Sequence, residues 1–240
     1  MSLLRLPLLF VTAAGVHISM TNPNPPVSLD ETQKYSVTQR RRPSQFVLWW
    51  PRMLKYSYWA LGLSETAVIL ASQFPRPPLT ERLLSSLVVR PSSHISAVQV
   101  TPHFLAGLFL ATAGTILRVE CYRTLGRLFT YQVSIRKEHQ LVTSGPYSLV
   151  RHPAYTAGWL VYSGVNLCMF GPGSWLRECG WLDTVMGQTL LGTVIAVGFI
   201  VSGFMIYRTR LEDVLLKNQF GEQWDAWARR VPYRLIPFIY

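Results

Sequence analysis

Charged residues are scarce in this chain of 240 residues, and acidic residues are scarcer still. Only 15% of the residues are charged while 49% are hydrophobic, whereas soluble domains carry about 25% charged residues. Asp and Glu number 12 against 23 Lys and Arg, which leaves a net charge of +11. This shortage of charge argues against a soluble domain and favours a protein embedded in a membrane.

Patterns that bind metals, form disulfides or cradle nucleotides are also missing. The cysteines, at positions 121, 168 and 179, form no CxxC pair, and the five histidines form no HxxxH pattern. We therefore predict reduced structural thiols and no metal site. The sequence has no GxGxxG after a strand, which excludes the usual nucleotide-binding βαβ unit, and it offers no convincing Ser-His-Asp or Cys-His constellation.

The excess of positive charge indicates membrane topology rather than a nucleic-acid partner. The basic residues lie beside apolar runs instead of on a polar domain, as expected where Lys and Arg flank membrane helices. Eight Trp and eleven Tyr suit the aromatic belts at the two membrane surfaces. We predict no nucleic-acid partner.

Five apolar runs approach the roughly 20 residues that cross a bilayer core. They cover residues 3–20, 54–74, 102–120, 155–171 and 184–207. The first run fits either a secretory signal or a retained helix, and the lack of a clear small-residue cleavage site favours the helix. The prediction is an all-α, polytopic membrane bundle of about five spans. Small residues in the third run, at Gly107, Ala111 and Gly114, allow close helix contact.

The distribution of Lys and Arg predicts the orientation of these spans. Eighteen of the 23 fall in or beside alternate segments, namely those between runs one and two, between runs three and four, and after run five. The remaining five fall on the other side. By the positive-inside rule, residues 121–154 and the C-terminal tail should face the cytosol.

The tail, residues 208–230, is predicted to be helical with a break near Gly221. Its apolar residues recur at helical spacing and form one stripe, which is typical of a cytosolic amphipathic helix lying on the membrane. The stripe comprises Leu216, Phe220, Trp224 and Trp227. At the start of the tail, Arg208 and Glu212 are four residues apart and share a helix face.

A polar, turn-rich segment at residues 139–155 interrupts the apolar runs. Its Thr-Ser-Gly-Pro sequence at 143–146 breaks regular structure. Arg151, His152 and Tyr155 then place polar groups at the mouth of the next run, where membrane proteins usually build a site. An ordinary connecting loop with a basic anchor remains the alternative, with His152 bonded to backbone and the tyrosines packed at the interface.

Two blocks of the chain resemble the isoprenylcysteine carboxyl methyltransferase family. The first is HQLVTSGPY at 139–147 followed by RHPAY at 151–155. The second is RTRLED at 208–213, FGEQW at 220–224, VP at 231–232 and RLIP at 234–237. The likeness covers roughly residues 104–240, so we divide the chain into N-terminal membrane helices, 1–101, and a methyltransferase region, 102–240. In one departure, Gly158 follows Tyr155 one residue later than is usual in the family.

The resemblance implies a multi-pass enzyme of the endoplasmic reticulum membrane whose active site faces the cytosol. Such enzymes use S-adenosyl-L-methionine to methylate the C-terminal carboxylate of a prenylated cysteine in processed CaaX proteins, with membrane lipid as the other partner. It implies that the cofactor is lined by His139, Gln140, Leu141, Val142, Tyr147, His152, Pro153, Ala154, Tyr155 and Glu212. Arg208 would lie at the substrate and, with Glu212, carry the reaction.

The chemistry of such a reaction fits the residues present. A C-terminal carboxylate has a pKa of about 3.5 and is already ionised at neutral pH, so the reaction needs no general base. The protein must orient the two reactants, for which a guanidinium that holds a carboxylate through two hydrogen bonds is suited. Two alternatives stay open: a membrane phospholipid or amine methyltransferase, and a non-catalytic membrane scaffold.

Overall fold

Helices supply all the regular structure in the part of the chain that the computed structural model describes, residues 3–25, 46–74, 77–90, 92–131 and 140–240. They are α1 (Arg5–Ser19), α2 (Phe46–Gln73), α3 (Leu79–Leu87), α4 (Pro102–Leu125), α5 (Pro153–Phe170), α6 (Trp175–Glu178), α7 (Val185–Phe220) and α8 (Glu222–Arg230). Short 3-10 turns cover Ser92–Ala97, Gly126–Leu128, Gly145–Ser148 and Trp181–Asp183. The all-α prediction is confirmed.

Two stretches of helix are long and apolar enough to cross a membrane, Pro102–Leu128 and Val185–Phe220. On α7, large apolar side chains are exposed, with Phe199 at 76% and Ile200 at 68%. Exposed apolar side chains on one long helix are what a lipid-facing helix presents. Helix α1 is apolar but has only 15 residues. The five-span arrangement stays a prediction.

The chain forms two compact units, each assembled from three segments. The first comprises residues 1–17, 55–113 and 160–201, and the second comprises 18–54, 114–159 and 202–240. Each unit combines early and late parts of the sequence. The division at residue 101, drawn from the resemblance, stays a prediction about function rather than about these units.

A buried ion pair organises the first unit. Arg5 on α1 pairs with Glu65 on α2, and both side chains are withdrawn from solvent. The guanidinium also donates to the carbonyl of Gln99 at 2.7 Å and to that of Cys168 at 3.2 Å, and it lies 4.1 Å from the centre of the Phe104 ring. Such satisfaction of a buried charge offsets part of its desolvation cost, and it joins α1, α2, α4 and α5.

Small residues bring α4 and α5 into close contact within the same unit. A Cβ atom on Gly107 would lie 2.6 Å from the carbonyl oxygen of Gly164. A Cβ atom on Gly164 would collide with the backbone of Ala111. The predicted role of Gly107 and Ala111 in close helix contact is therefore confirmed, because no larger side chain fits at this crossing.

In the second unit, the tail helix breaks where the sequence predicts. Helix α7 ends at Phe220, Gly221 adopts a φ of 51°, and α8 begins at Glu222. A positive φ costs glycine little, which explains why the break falls there. The predicted stripe packs inward: Trp227 is 3% exposed and forms a core with Cys121, Tyr147 and Val231. Leu216 and Trp224 pack against that core, so these stripe residues contact protein.

We expect Glu65→Ala to lower the free energy of unfolding by about 3–5 kcal/mol, because it leaves the Arg5 charge buried and unpaired. Thermal and denaturant unfolding of the detergent-solubilised chain would measure this loss.

The matched control is Asp183→Ala, which removes the exposed ion pair between Asp183 and Arg90, with side chains 58% and 43% exposed. Exposed pairs contribute about 0.2–1 kcal/mol. Equal losses in the two variants would contradict the assigned role of Glu65.

Candidate active site

The polar segment before α5 forms a tight turn fastened to the C-terminal end of the chain. Gly145 begins the turn with a φ of 57°, and a Cβ atom there would lie 2.9 Å from the hydroxyl of Thr124. The backbone N–H of Arg151 donates to the carbonyl of Tyr233 at 2.9 Å, and that of His152 donates to the carbonyl of Arg234 at 2.8 Å. These bonds fix the backbone at the entrance to α5.

His152 lies between two carboxylates presented by α7. Its Nε2 atom is 2.9 Å from Oδ1 of Asp213, and its Nδ1 atom is 3.3 Å from Oε2 of Glu212. The side chain is 5% exposed. Burial disfavours the charged imidazolium, yet the hydrogen bonds to Asp213 and Glu212 outweigh burial and raise the pKa of His152 above its ordinary value.

Glu212 is held by three neighbours. Besides His152, the hydroxyl of Tyr155 donates to its Oε1 atom at 2.5 Å, and Nε of Arg208 donates to the same oxygen at 3.1 Å. Arg208 is itself fixed, because its Nη2 atom donates to the carbonyl of Tyr131. The carboxylate and the guanidinium therefore have defined orientations before any ligand arrives.

Asp213 gathers a second group of cations. Its Oδ2 atom accepts from Nε of Arg234 at 2.8 Å and lies 3.3 Å from Nη1 of Arg151. Arg151 also donates to the carbonyl of Pro232 at 3.1 Å. Around the two carboxylates stand three arginines, Arg151, Arg208 and Arg234, together with His152, whose pKa is raised. The positive excess favours an anionic ligand.

An apolar group lies beside these charges in the same unit. Leu141, Val142 and Ala154 pack against the core that contains Tyr147. Tyr147 is 7% exposed, and burial raises the pKa of its hydroxyl well above the ordinary value, so it is neutral at physiological pH. Pro153 begins α5 and is buried. The structure thus offers an apolar surface as well as a charged cluster.

The positions implied by the family resemblance, apart from Pro153 at the start of α5, fall into three sets. Glu212 is contacted by each of His152, Tyr155 and Arg208. Leu141, Val142, Tyr147 and Ala154 share one apolar cluster. Gln140 is exposed, and His139 lies outside the described residues.

Sequence reasoning did not assign roles to Asp213, Arg234 or Arg118. Arg118 lies on the apolar helix α4, and its Nη1 atom donates to the carbonyl of Ala154 at 2.6 Å. Its guanidinium is within 5.5 Å of the ring centres of Tyr122, Phe129 and Tyr131. A charged residue inside an apolar run was the available signal, since such residues mark functional positions in membrane helices.

Comparison with known proteins identifies relatives of this chain. Residues 106–177 match the family described as "Isoprenylcysteine carboxyl methyltransferase (ICMT) family". The chain is 35% identical over 136 residues to protein-S-isoprenylcysteine O-methyltransferase B of Arabidopsis thaliana, covering 55% of this chain and 58% of the relative.

A human relative, protein-S-isoprenylcysteine O-methyltransferase of Homo sapiens, is 32% identical over 144 residues, covering 59% of this chain and 43% of the relative. The chain thus spans 58% of the length of the plant relative and 43% of the human one. The predicted resemblance to this family is confirmed, and the matched residues 106–177 contain the first of the two sequence blocks.

The raised pKa of His152 predicts a pH-dependent stability. Because the folded state holds the proton more tightly than the unfolded chain, this contribution is complete below the unfolded pKa of about 6.5. It is lost as pH rises through the folded pKa. We expect the wild type to lose stability over this range while His152→Gln does not, as measured by thermal unfolding between about pH 5 and pH 9. Parallel stability profiles for the two proteins would contradict a protonated His152.

Proposed function

We propose that this chain, whose residues 106–177 match the isoprenylcysteine carboxyl methyltransferase family, methylates the C-terminal carboxylate of prenylated cysteine in processed CaaX proteins. The methyl donor is S-adenosyl-L-methionine. One observation carries the proposal: the two sequence blocks meet in space. Tyr155 bonds Glu212 across 57 positions of sequence, and His152 bonds Asp213 across 61. Because one ligand must touch both blocks, this contact is the first requirement of the reaction.

The donor set fits S-adenosylmethionine, which carries two cationic groups, a carboxylate and an adenine ring. When bound, it supplies a methyl group on a sulfonium. Glu212 complements the cationic groups, and the cations clustered around Glu212 and Asp213 complement the carboxylate through their positive charge. The apolar surface of Leu141, Val142 and Ala154 suits the adenine, with Tyr147 behind it. We assign Gln140, Pro153 and Tyr155, together with His139, to the lining of the same cofactor site.

Arg208 is the residue we assign to the acceptor carboxylate. Negative charge on that carboxylate is neutralised as the methyl group arrives, so an arginine stabilises the starting state more than the transition state. Its role is therefore orientation, which lowers the barrier by holding the nucleophile in line. The bonds from Arg208 to Glu212 and to the carbonyl of Tyr131 support this role, because they fix the guanidinium in advance.

The prenyl chain of the proposed substrate indicates where in the cell this protein acts. About 15 or 20 carbons, each favouring burial by roughly 0.8 kcal/mol, partition into lipid. We propose a multi-pass protein of the endoplasmic reticulum membrane with about five spans, its active site and amphipathic tail on the cytosolic side. Two long apolar helices and the exposed side chains of α7 support the membrane location. Residues 102–240 would form the methyltransferase region, and 1–101 the remaining membrane helices.

The charge of the site disfavours the alternative of an amine acceptor. An amine would approach as a cation or lose its proton, and a carboxylate-binding arginine would not help it. A scaffold without catalysis has no need to bring Arg208, Tyr155 and His152 onto one carboxylate.

Methyl transfer to competing acceptors tests the function. Membranes containing the chain are supplied with labelled S-adenosylmethionine and, in parallel, N-acetyl farnesylcysteine, its geranylgeranyl analogue and phosphatidylethanolamine. We expect base-labile label in the prenylcysteines and none in the phospholipid, because the site favours a carboxylate. Label in the phospholipid alone would overturn the proposal, and label in no acceptor would favour the scaffold.

Substitution of Arg208 and Glu212 separates their roles. A hydrogen bond to a charged group contributes about 1.5–3 kcal/mol, which corresponds to a ten- to hundredfold change. We expect Glu212→Gln to weaken S-adenosylmethionine binding by about this factor. We expect Arg208→Ala to raise the KM for N-acetyl farnesylcysteine by a similar factor, with a smaller loss of cofactor affinity.

Arg210→Ala is the matched control, because Arg210 lies two residues from Arg208 on the same helix but is exposed and bonds the hydroxyl of Tyr240. It should leave both constants unchanged. Equal losses of cofactor affinity in the Arg208 and Glu212 variants would refute the division of roles.

A further inference from the structure

The Asp213 side chain has no role in the proposed reaction, yet several charged side chains contact it. The residues assigned to the cofactor site do not explain these contacts. Asp213 is buried at 4% exposure and contacts three cationic side chains, on two segments other than its own. His152 and Arg151 lie at the entrance to α5, and Arg234 lies in the C-terminal segment. A carboxylate bound by cations on three sides is held in one position.

The geometry of His152 sets a condition on its protons. Both ring nitrogens lie within hydrogen-bond reach of carboxylate oxygens, Nε2 at 2.9 Å from Asp213 and Nδ1 at 3.3 Å from Glu212. An ionised carboxylate only accepts hydrogen bonds, and a neutral imidazole has a single N–H. Both contacts are therefore hydrogen bonds only when His152 is an imidazolium.

The groups that face His152 come from three segments. Helix α7 supplies Asp213 and Glu212, and α5 supplies Tyr155, whose ring centre is 6.0 Å away. The C-terminal segment supplies Arg234, which acts through its bond to Asp213, and Arg151 acts through the same carboxylate. Arg208 acts through Glu212. The two carboxylates contact the ring directly and favour its protonated form more than the cations behind them disfavour it.

We propose that Asp213 is a positioning residue that keeps His152 doubly protonated and turned toward Glu212, so that the cofactor-facing orientation of Glu212 depends on the proton of His152. The inference rests on the proposed function for the identity of the ligand. Without Asp213, the ring loses its fixed partner at Nε2, and a neutral tautomer with an unprotonated Nδ1 would repel the Glu212 carboxylate. On this proposal, the proton on the His152 ring determines the orientation of Glu212 toward the cofactor.

A spectroscopic experiment tests the inference without any ligand. The full chain is labelled with ¹⁵N-histidine, purified in detergent, and titrated by NMR, with His152→Gln used to assign the ring signals among the five histidines. We expect His152 to show two protonated nitrogens at pH 7, and to lose a proton at a lower pH in Asp213→Asn than in the wild type.

Asp225→Asn serves as the matched control, because Asp225 pairs with Lys217 at 2.9 Å on the same tail but is 38% exposed. It should titrate like the wild type. A neutral His152 in the wild type at pH 7, or identical titrations of wild type and Asp213→Asn, would overturn the inference.

Calorimetric binding of S-adenosylhomocysteine as a function of pH adds the functional readout. In the wild type, affinity should fall as pH rises through the titration of His152, and in Asp213→Asn the fall should begin at lower pH. Where only the variant has lost its proton, its affinity should be about tenfold lower, equivalent to one charged hydrogen bond. The KM for N-acetyl farnesylcysteine at saturating cofactor should be unchanged, whereas a general distortion of the site would change both this KM and the cofactor affinity.

The two experiments separate the two claims. A wild type that binds no S-adenosylhomocysteine at any pH would count against the proposed function, while the titration of His152 would still decide the role of Asp213. Cofactor binding whose pH dependence is the same in Asp213→Asn and wild type would overturn the positioning role and leave the proposed function standing.

Discussion

The site depends on the contact between one imidazole and two adjacent carboxylates. His152 enters α5 from a turn, while Glu212 and Asp213 are consecutive on α7, and their mutual bonds join the two sequence blocks. The contact is buried, where unpaired charges are expensive, so each member requires the others. Had the blocks been too far apart to touch one ligand, the interpretation as a methyltransferase would have failed at this point.

Preorganisation is the common property of the charged groups. Glu212 is bonded by Tyr155, His152 and Arg208, and the turn that carries His152 is tied by backbone bonds to residues 233 and 234. A reaction that needs no general base gains mainly from fixed geometry. The site uses its polar residues to hold one another, which agrees with such chemistry.

Apolar periodicity predicted most of the helices. The runs at 102–120 and 184–207 correspond to α4 and to the first part of α7, and the break at Gly221 follows from its ability to adopt positive φ. The apolar run ending at 207 and the helical tail predicted from 208 form one continuous helix, because its backbone hydrogen bonds continue past Arg208 to Phe220. Periodicity placed Trp227 on a stripe but did not reveal that the stripe packs against Cys121 and Tyr147.

The sequence by itself determined the helical class, the shortage of charge that goes with a membrane, and the identity of Arg208, His152, Tyr155 and Glu212 as a candidate set, since composition and motifs are local properties. Tertiary structure alone decided that Asp213 pairs with Arg234 and Arg151. It also decided that Arg118 donates to the carbonyl of Ala154 and that Arg5 pairs with Glu65. These partners are 21 to 62 positions apart, and which distant charges meet depends on how helices pack.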